Sequence, residues 1–353
     1  MKANPLGALA LAAMLGPATP GWALDWLKPC KGWTGRVPGT VTDVVRPVLY
    51  VAMGKCETVL AIDSRTHEVI AALRAGDGAH GIAVPAPRAV YVTNRKDDTL
   101  SLLDFAAGRT LRHVQTGRYP LDIVPVDGGR LVVSTWKGDT VEIYDREGRR
   151  LDTIPGGDPT HFAVSPDGKT AFLAHWSERR VVAHDVTSWK TLFEVPTGDK
   201  PVHLTVTSDS RWLVVTNFGS ADVTVVDLAA RRPVATVAVG AKPLGLVASG
   251  DGKRVFVATM DDQAIAVIDV AAQRVSHRLK AEGEPQHLAL AQDGRMVYVT
   301  MPHEGRVDVF DAADLAWRAR IDTGPSPQQI APRYATRPFV GAGGAGVRSA
   351  SAR

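Results

Sequence analysis

Three histidines, His161, His203 and His287, hold one place in a recurring phrase: each stands two residues after a proline, at Pro159, Pro201 and Pro285. The first two lie 42 residues apart and the third a further 84 on. Neutral imidazole is the commonest metal ligand among side chains and exchanges protons near pH 7. Imidazoles returning at a fixed interval occupy quasi-equivalent points of repeated units, where residues remote in sequence converge. A histidine-rich copper or zinc site needs such convergence. In the other copies the same place holds Gly81 (preceded by His80), Asp122, Gly245 and Gln329. Asp122 and Gln329 read as hydrogen-bonding groups behind a metal set of His161, His203 and His287.

A second group of residues surrounds the first. Arg118, Lys200 and Lys242 stand just before the repeat prolines. The polar hairpins expected elsewhere in the phrase carry Arg95, Trp136, Trp176, Phe218, Met260 and Met301, with His175 and His303 nearby. Hairpin tips usually bear small polar residues, so large apolar ones suggest a lined pocket. Arg118, Lys200 and Lys242 would hold an anionic edge, and Trp136 and Trp176 would cover a flat body. The expected ligand is a metal ion or a small anionic, redox-capable cofactor. The same Trp and Arg content is that of interface hot spots, so a scaffold that captures a periplasmic partner protein is the alternative. Channel-lining histidines that only hold water are the plainest reading.

The elements that must position these groups follow from the repeat itself. Asp63, Asp104, Asp145, Asp185, Asp227, Asp269 and Asp311 each close an apolar run, in steps of 41, 41, 40, 42, 42 and 42 residues. They read as turn caps rather than catalysts. The prolines at 120, 159, 201, 243, 285 and 327, with Ala79 in the first copy, keep the same period. That period is one β-propeller blade. In the fifth copy the expected strands are 202–206, 212–216, 223–226 and 234–239. The first copy lacks an opening strand and the last supplies only one, 328–331. The fold class is therefore all-β: a seven-bladed propeller of four-stranded antiparallel blades, one of them closed by strands from both termini. Such closure removes free sheet edges.

The strings Tyr91-Val92-Thr93-Asn94, Val215-Thr216-Asn217 and Tyr298-Val299-Thr300 resemble the YVTN family of bacterial propellers. The resemblance covers about residues 46 to 332. It implies that the first strand of each blade lines a central channel, with ligands at the mouth on the side of the second-to-third-strand hairpins. The chain is also similar to the haem-carrying propeller of periplasmic nitrite reductase and its maturation relatives. Those place histidines of successive blades over a flat, carboxylate-rich macrocycle, which implies a haem-like cofactor beside the bare-metal reading. Lactonase-like propellers imply a metal-dependent hydrolase or lyase built on acids, and Asp122 is the only acid at the lining position.

Composition sets the remaining bounds. Met1-Lys2, the apolar stretch from Leu6 to Leu15 and the small-x-small Gly21-Trp22-Ala23 read as a signal peptide over residues 1–23. An arm over 24–45, the propeller over 46–332 and a tail over 333–353 follow, with no membrane span expected after signal removal. Export to the periplasm makes the two cysteines, Cys30 and Cys56, a candidate disulfide. No Cys-x-x-Cys-His is present, which excludes covalent c-type haem. The net charge of +4 forms no basic stripe interleaved with aromatics, so no nucleic-acid partner is expected. A monomer is expected.

Overall fold

The computed structural model describes residues 47–86, 88–126 and 129–332. The expected signal segment, the arm with Cys30, and the tail over 333–353 lie outside the described residues. The described chain runs as 28 strands arranged in seven four-stranded antiparallel sheets. Six blades are continuous in sequence. The first has the order β28 (Pro327–Pro332), β1 (Val48–Met53), β2 (Thr58–Asp63), β3 (Val69–Arg74). Leu49 pairs with Pro332, Tyr50 with Ala331 and Val51 with Ile330, so strands from both ends of the repeat region close the ring as expected.

The innermost strands of the other blades are β4 (Ala79–Ala86), β8 (Pro120–Pro125), β12 (Pro159–Val164), β16 (Pro201–Val206), β20 (Pro243–Ala248) and β24 (Leu288–Leu290). Each lies against the next, and β24 against β28, around one central channel. Polarity rises outward. In the fifth blade β17 (Trp212–Asn217) is buried along its whole length, whereas β19 (Arg232–Ala238) is mostly open. The middle strands do not show the inside–outside alternation of a one-sided sheet, because each blade is sandwiched between two others. Val214, Val223 and Val225 of one blade accordingly share a cluster with Val255, Val257, Ala266 and Ile268 of the next.

All seven repeat aspartates cap turns. Asp63 Oδ1 accepts the N–H of Arg65 at 2.8 Å, Asp227 that of Ala230 at 2.8 Å and Asp311 that of Ala313 at 2.8 Å, and the other four do likewise. The motif tyrosines stitch blades together: Tyr298 O–H donates to the Ser64 carbonyl at 3.1 Å, and Tyr91 O–H to that of Arg146.

Deleting residues 325–353 removes β28, leaving an open channel wall and an unpaired β1 edge. The melting temperature should fall by on the order of 10 °C, since several kcal/mol of burial is lost in a domain of this size. Deleting only 335–353 should leave it unchanged. Equal melting curves for the two truncations, read by circular dichroism, would rule out closure through β28.

Candidate functional site

The site is built on a repeated irregularity of the innermost strands. Between Pro159 and Phe162, Pro201 and Leu204, Pro243 and Leu246, Ala79 and Ile82, and Pro120 and Asp122, the ladder shifts register. Each inner strand carries one residue more than its partner there, a β-bulge that re-aims side chains. In the seventh blade β24 begins only at Leu288, directly after His287. The bulge removes a ladder partner from one backbone N–H, and a motif hydroxyl supplies the replacement. Thr93 accepts from Gly81 at 2.8 Å, Ser134 from Asp122 at 3.1 Å, Thr216 from His203 at 3.1 Å and Thr300 from His287 at 3.1 Å. The Thr of Tyr-Val-Thr-Asn is thus the support of the residue that faces the channel.

Four imidazoles meet there. His161 and His203, from adjacent blades, stack with centroids 3.5 Å apart. His287 lies 4.9 Å from His203 and 6.4 Å from His161. The fourth ring is His80, 5.4 Å from His287 and 6.1 Å from His161. His80, His161 and His287 are only 3 to 4% exposed, and His203 is half-buried. His80 Nδ1 sits 2.8 Å from the Leu121 carbonyl and His161 Nδ1 3.1 Å from that of Val202. A carbonyl only accepts, so both Nδ1 atoms carry the proton and the lone pair is left on Nε2. The Nε2 atoms of His161 and His203 and Nδ1 of His287 are buried with no protein partner.

Burial, first, opposes protonation of all four rings. The Arg95 charge adds to it at His80, His161 and His287, and the neighbouring imidazoles at His80, His161 and His203. All lie well below the ordinary range, His287 at about 3. The cluster is neutral at pH 7, the form that ligates metals. It is not a closed coordination shell: among the described residues no three His, Cys, Asp or Glu side chains converge on one point. The stacked planes of His161 and His203 hold their lone pairs in parallel sheets, so one ring must turn before both can meet an ion.

The other expected site residues divide. Asp122 and Gln329 bond each other at 3.0 Å, while Asp122 also accepts the Phe162 N–H at 2.9 Å and Gln329 that of Ile82 at 3.2 Å. They tie the first four blades together rather than facing a ligand directly. Trp136 and Trp176 are half-buried and lie 6.1 Å apart in an arc that continues to Tyr119 at 5.7 Å and to Phe218 at 5.7 Å. Lys200 stands over Trp176 at 5.7 Å, and Arg118 is exposed. Lys242 is instead paired with Asp261 at 3.0 Å. Met301 is fully buried in the core of the last two blades, because it ends a strand rather than sitting at a hairpin tip. His175 is anchored to the Gly157 carbonyl at 2.7 Å, and His303 pairs with Glu284 at 2.9 Å, both away from the cluster.

His80, noted only as the neighbour of Gly81 and left out of the expected metal set, is the fourth ring of the cluster, and Tyr119, absent from the expected residues, packs on Trp136. The signal for His80 is the bulge, which puts two consecutive residues opposite one.

A family model for the YNCE-like beta-propeller matches residues 57–333. The chain belongs to that family. The match is to the YNCE-like propellers, not by name to the YVTN proteins that the motifs resemble. No curated protein matches the chain. Among solved structures this YNCE-like propeller is similar to Kuenenia stuttgartiensis hydrazine synthase, with TM-score 0.68 and 17% identity over 80% of this chain and 99% of that one. It is similar to the dihydro-heme d1 dehydrogenase NirN in complex with DHE, with TM-score 0.67 and 17% identity over 90% and 83% of the two chains. Apo AztD from Citrobacter koseri gives TM-score 0.66 and 14% identity over 81% and 97%. At these identities the likeness is one of fold.

The depressed histidines make metal-free stability pH-dependent. Unfolded histidines titrate near 6.5 and the folded ones far lower, so the unfolded state binds more protons between the two values. Stability should be complete above about pH 6.5 and fall as pH drops below it, by up to about 1.4 kcal/mol per pH unit for each such histidine. Urea melts at pH 7.5, 5.5 and 4.5 should show this loss, and a His161→Gln/His203→Gln variant should show a shallower one. Parallel pH profiles for the two proteins would contradict the assignment.

Proposed function

We propose that this chain is an exported, periplasmic propeller that binds a metal ion of the imidazole-preferring class, zinc or copper, at the channel cluster of His80, His161, His203 and His287. The observation that carries the reading is the set of three buried ring nitrogens without protein partners. Each unsatisfied buried polar atom costs about 1–3 kcal/mol, and such atoms call for something that fills them. Protonation would not satisfy them, since it only turns an unpartnered acceptor into an unpartnered donor. The Nδ1–H···O=C bonds of His80 and His161 are the outer contacts that fix the tautomer and orientation of metal-ligating imidazoles. His80 and His161 would present Nε2 to the ion, with His203 and His287 turning to complete the set.

A haem-like macrocycle fits these residues poorly. Its iron would have to reach ring nitrogens buried beneath the mouth, whereas a single ion can be received by small ring rotations. The lactonase-like reading loses its only channel acid, since the Asp122 carboxylate is engaged by Phe162 and Gln329. A second reading rests on a different observation: the half-buried arc of Tyr119, Trp136, Trp176 and Phe218 has the composition of an interface centre and would capture a periplasmic partner protein. Export also supports a Cys30–Cys56 disulfide. Cys56 is 5% exposed and lies beside the Pro325 carbonyl, next to the closing strand.

Elemental analysis of protein isolated from the periplasm should find zinc or copper, and calorimetric titration of the stripped protein should reproduce its binding. His161→Ala/His203→Ala should weaken it by about 100-fold or more, since even outer-shell partners cost 10–100-fold, with little change in melting temperature. Unchanged affinity would remove the histidine site. Loss of partner capture in Trp136→Ala/Trp176→Ala, with histidine variants silent, would favour the second reading. Titration of the denatured, unreduced mature protein with a thiol reagent should detect no free thiol, and two free thiols would refute the disulfide.

A further inference from the structure

Four aromatic rings follow one another around the mouth, across the third to fifth blades. Tyr119 stands in the loop before β8, Trp136 and Trp176 directly follow β9 (Leu131–Thr135) and β13 (Thr170–His175), and Phe218 follows β17. Successive ring centroids are 5.7, 6.1 and 5.7 Å apart, and no ring is coplanar with the next, the planes meeting at 64°, 63° and 36°. Each of the four is only half-buried. The backbone fixes them in place. The Trp136 N–H donates to the Tyr119 carbonyl at 3.1 Å, that of Trp176 to Asp158 at 3.2 Å and that of Phe218 to Lys200 at 2.9 Å. Tyr119, Asp158 and Lys200 all hold the left-handed conformation, at φ 56°, 60° and 54°, which a bulky residue such as tyrosine rarely adopts. Rings held by such turns are positioned before a ligand arrives, which lowers the cost of binding. Cations gather at one end of the row. Lys137 Nζ lies 4.4 Å and Arg95 Cζ 5.5 Å from the Tyr119 ring centroid, and Arg118, the residue before Tyr119, is exposed. Lys200 stands further along, 5.7 Å over Trp176. None of these four cations has a carboxylate partner among the described residues. Asp98 and Asp139, in the same hairpins as Arg95 and Lys137, instead accept backbone N–H groups, from Tyr119 at 2.7 Å and Asp158 at 2.6 Å. Where the row of rings has ended, Lys242 is paired with Asp261 at 3.0 Å.

Tilted rings in a row offer successive clefts rather than one plane, so they suit an extended chain better than a flat ring system. Side chains on one face of an extended polypeptide recur about every 6.4–6.8 Å, close to the spacing of these rings. We infer that the arc docks an extended peptide segment of a partner protein, acidic at the Tyr119 end and apolar towards Phe218. A carboxylate would meet Arg95, Arg118 and Lys137, and the next two side chains on the same face would enter the clefts on either side of Trp176. This rests on the partner-capture reading and adds the chemistry of the partner to it. The row accommodates about five or six residues in such a conformation. Its centre, with two tryptophans, has the composition that carries most binding energy at interfaces. The unpaired cations at one end set which way the segment lies and which segments are refused, since charge complementarity contributes chiefly to register and specificity.

Fluorescence anisotropy on the purified protein tests this with a labelled, end-blocked probe, Glu-Glu-Ser-Phe-Ser-Phe. Matched probes carry Gln-Gln or Lys-Lys in place of Glu-Glu, or Ser in place of both Phe. The acidic probe should bind about tenfold more tightly than its Gln-Gln counterpart, the Lys-Lys probe more weakly still, and the probe without Phe not measurably. Trp136→Ala should weaken the acidic probe by about 30-fold, the effect of losing a hot-spot residue. Arg95→Gln/Lys137→Gln should bring the acidic probe down to the affinity of the Gln-Gln one and flatten its salt dependence. That double variant replaces groups that are exposed or half-buried, so it carries the test if Trp136→Ala melts early. Equal affinity for the acidic, Gln-Gln and Lys-Lys probes, lost in Trp136→Ala, would overturn the inference and leave partner capture standing. Tighter binding of a labelled thymidine oligonucleotide through the same residues overturns it in favour of a nucleic acid. Self-association abolished by Trp136→Ala overturns it in favour of a second copy of this chain, and probe binding only after removal of residues 24–46 in favour of that segment as the occupant. Acidic-probe binding that survives both variants, or no peptide binding at all, also overturns it, while the wider partner reading is decided separately by capture through Trp136 and Trp176.

Discussion

A hydroxyl on the second strand of a blade has two bonds to make, and much of the molecule is arranged around them. Thr216 accepts the N–H of His203, released from the ladder by the bulge, and donates to the Leu244 carbonyl of the next blade at 2.8 Å. Ser134 does the same between Asp122 and the Thr160 carbonyl, and Thr93 between Gly81 and Leu121. One side chain thus satisfies a buried donor that the irregular backbone would leave unpaired and joins two sheets. Where Ala174 replaces the hydroxyl, Thr160 turns across to the Val202 carbonyl at 3.1 Å. The inner strands approach closely enough that a Cβ at Gly245 would come within 2.4 Å of the Gln286 carbonyl. Small residues at this place reflect that approach, and larger ones must point into the channel.

The histidine cluster sits where the inner strands of the blades face the axis. Its cost is the desolvation of four imidazoles, three of whose nitrogens have no protein partner, set against blade interfaces made of fully buried aliphatic strands. A propeller with large inter-blade cores tolerates that cost at its axis, because the channel residues contribute little to those cores. Changes at the channel should accordingly do little to whether the ring forms.

The mouth above the cluster is one-sided. The second to fifth blades supply Arg95, Tyr119, Trp136, Lys137, Trp176, Lys200 and Phe218, with Lys137 4.4 Å from the Tyr119 ring. On the opposite side Lys242 is paired with Asp261, His303 lies against Glu284, and Met301 is buried in the core. A ligand at the mouth therefore meets charge and aromatic surface from one direction. The fold likenesses to proteins as different as hydrazine synthase, NirN and AztD leave function to such local features.

Repetition made the architecture legible in the sequence. The spaced aspartates, the prolines and the incomplete first and last copies suffice for seven blades and their closure, because each landmark reports a local turn or strand start that recurs seven times. The same periodicity brought His161, His203 and His287 to equivalent places, and their rings do meet. What it could not show depends on geometry between blades. His80 enters the cluster because a bulge turns two consecutive residues inward, which a one-position rule misses. Lys242 is withdrawn by an aspartate in the following hairpin, and Met301 by ending a strand one residue short of the tip. Whether the imidazoles stack or converge is decided by how the sheets close around the axis. A single chain read in order has no measure of those distances.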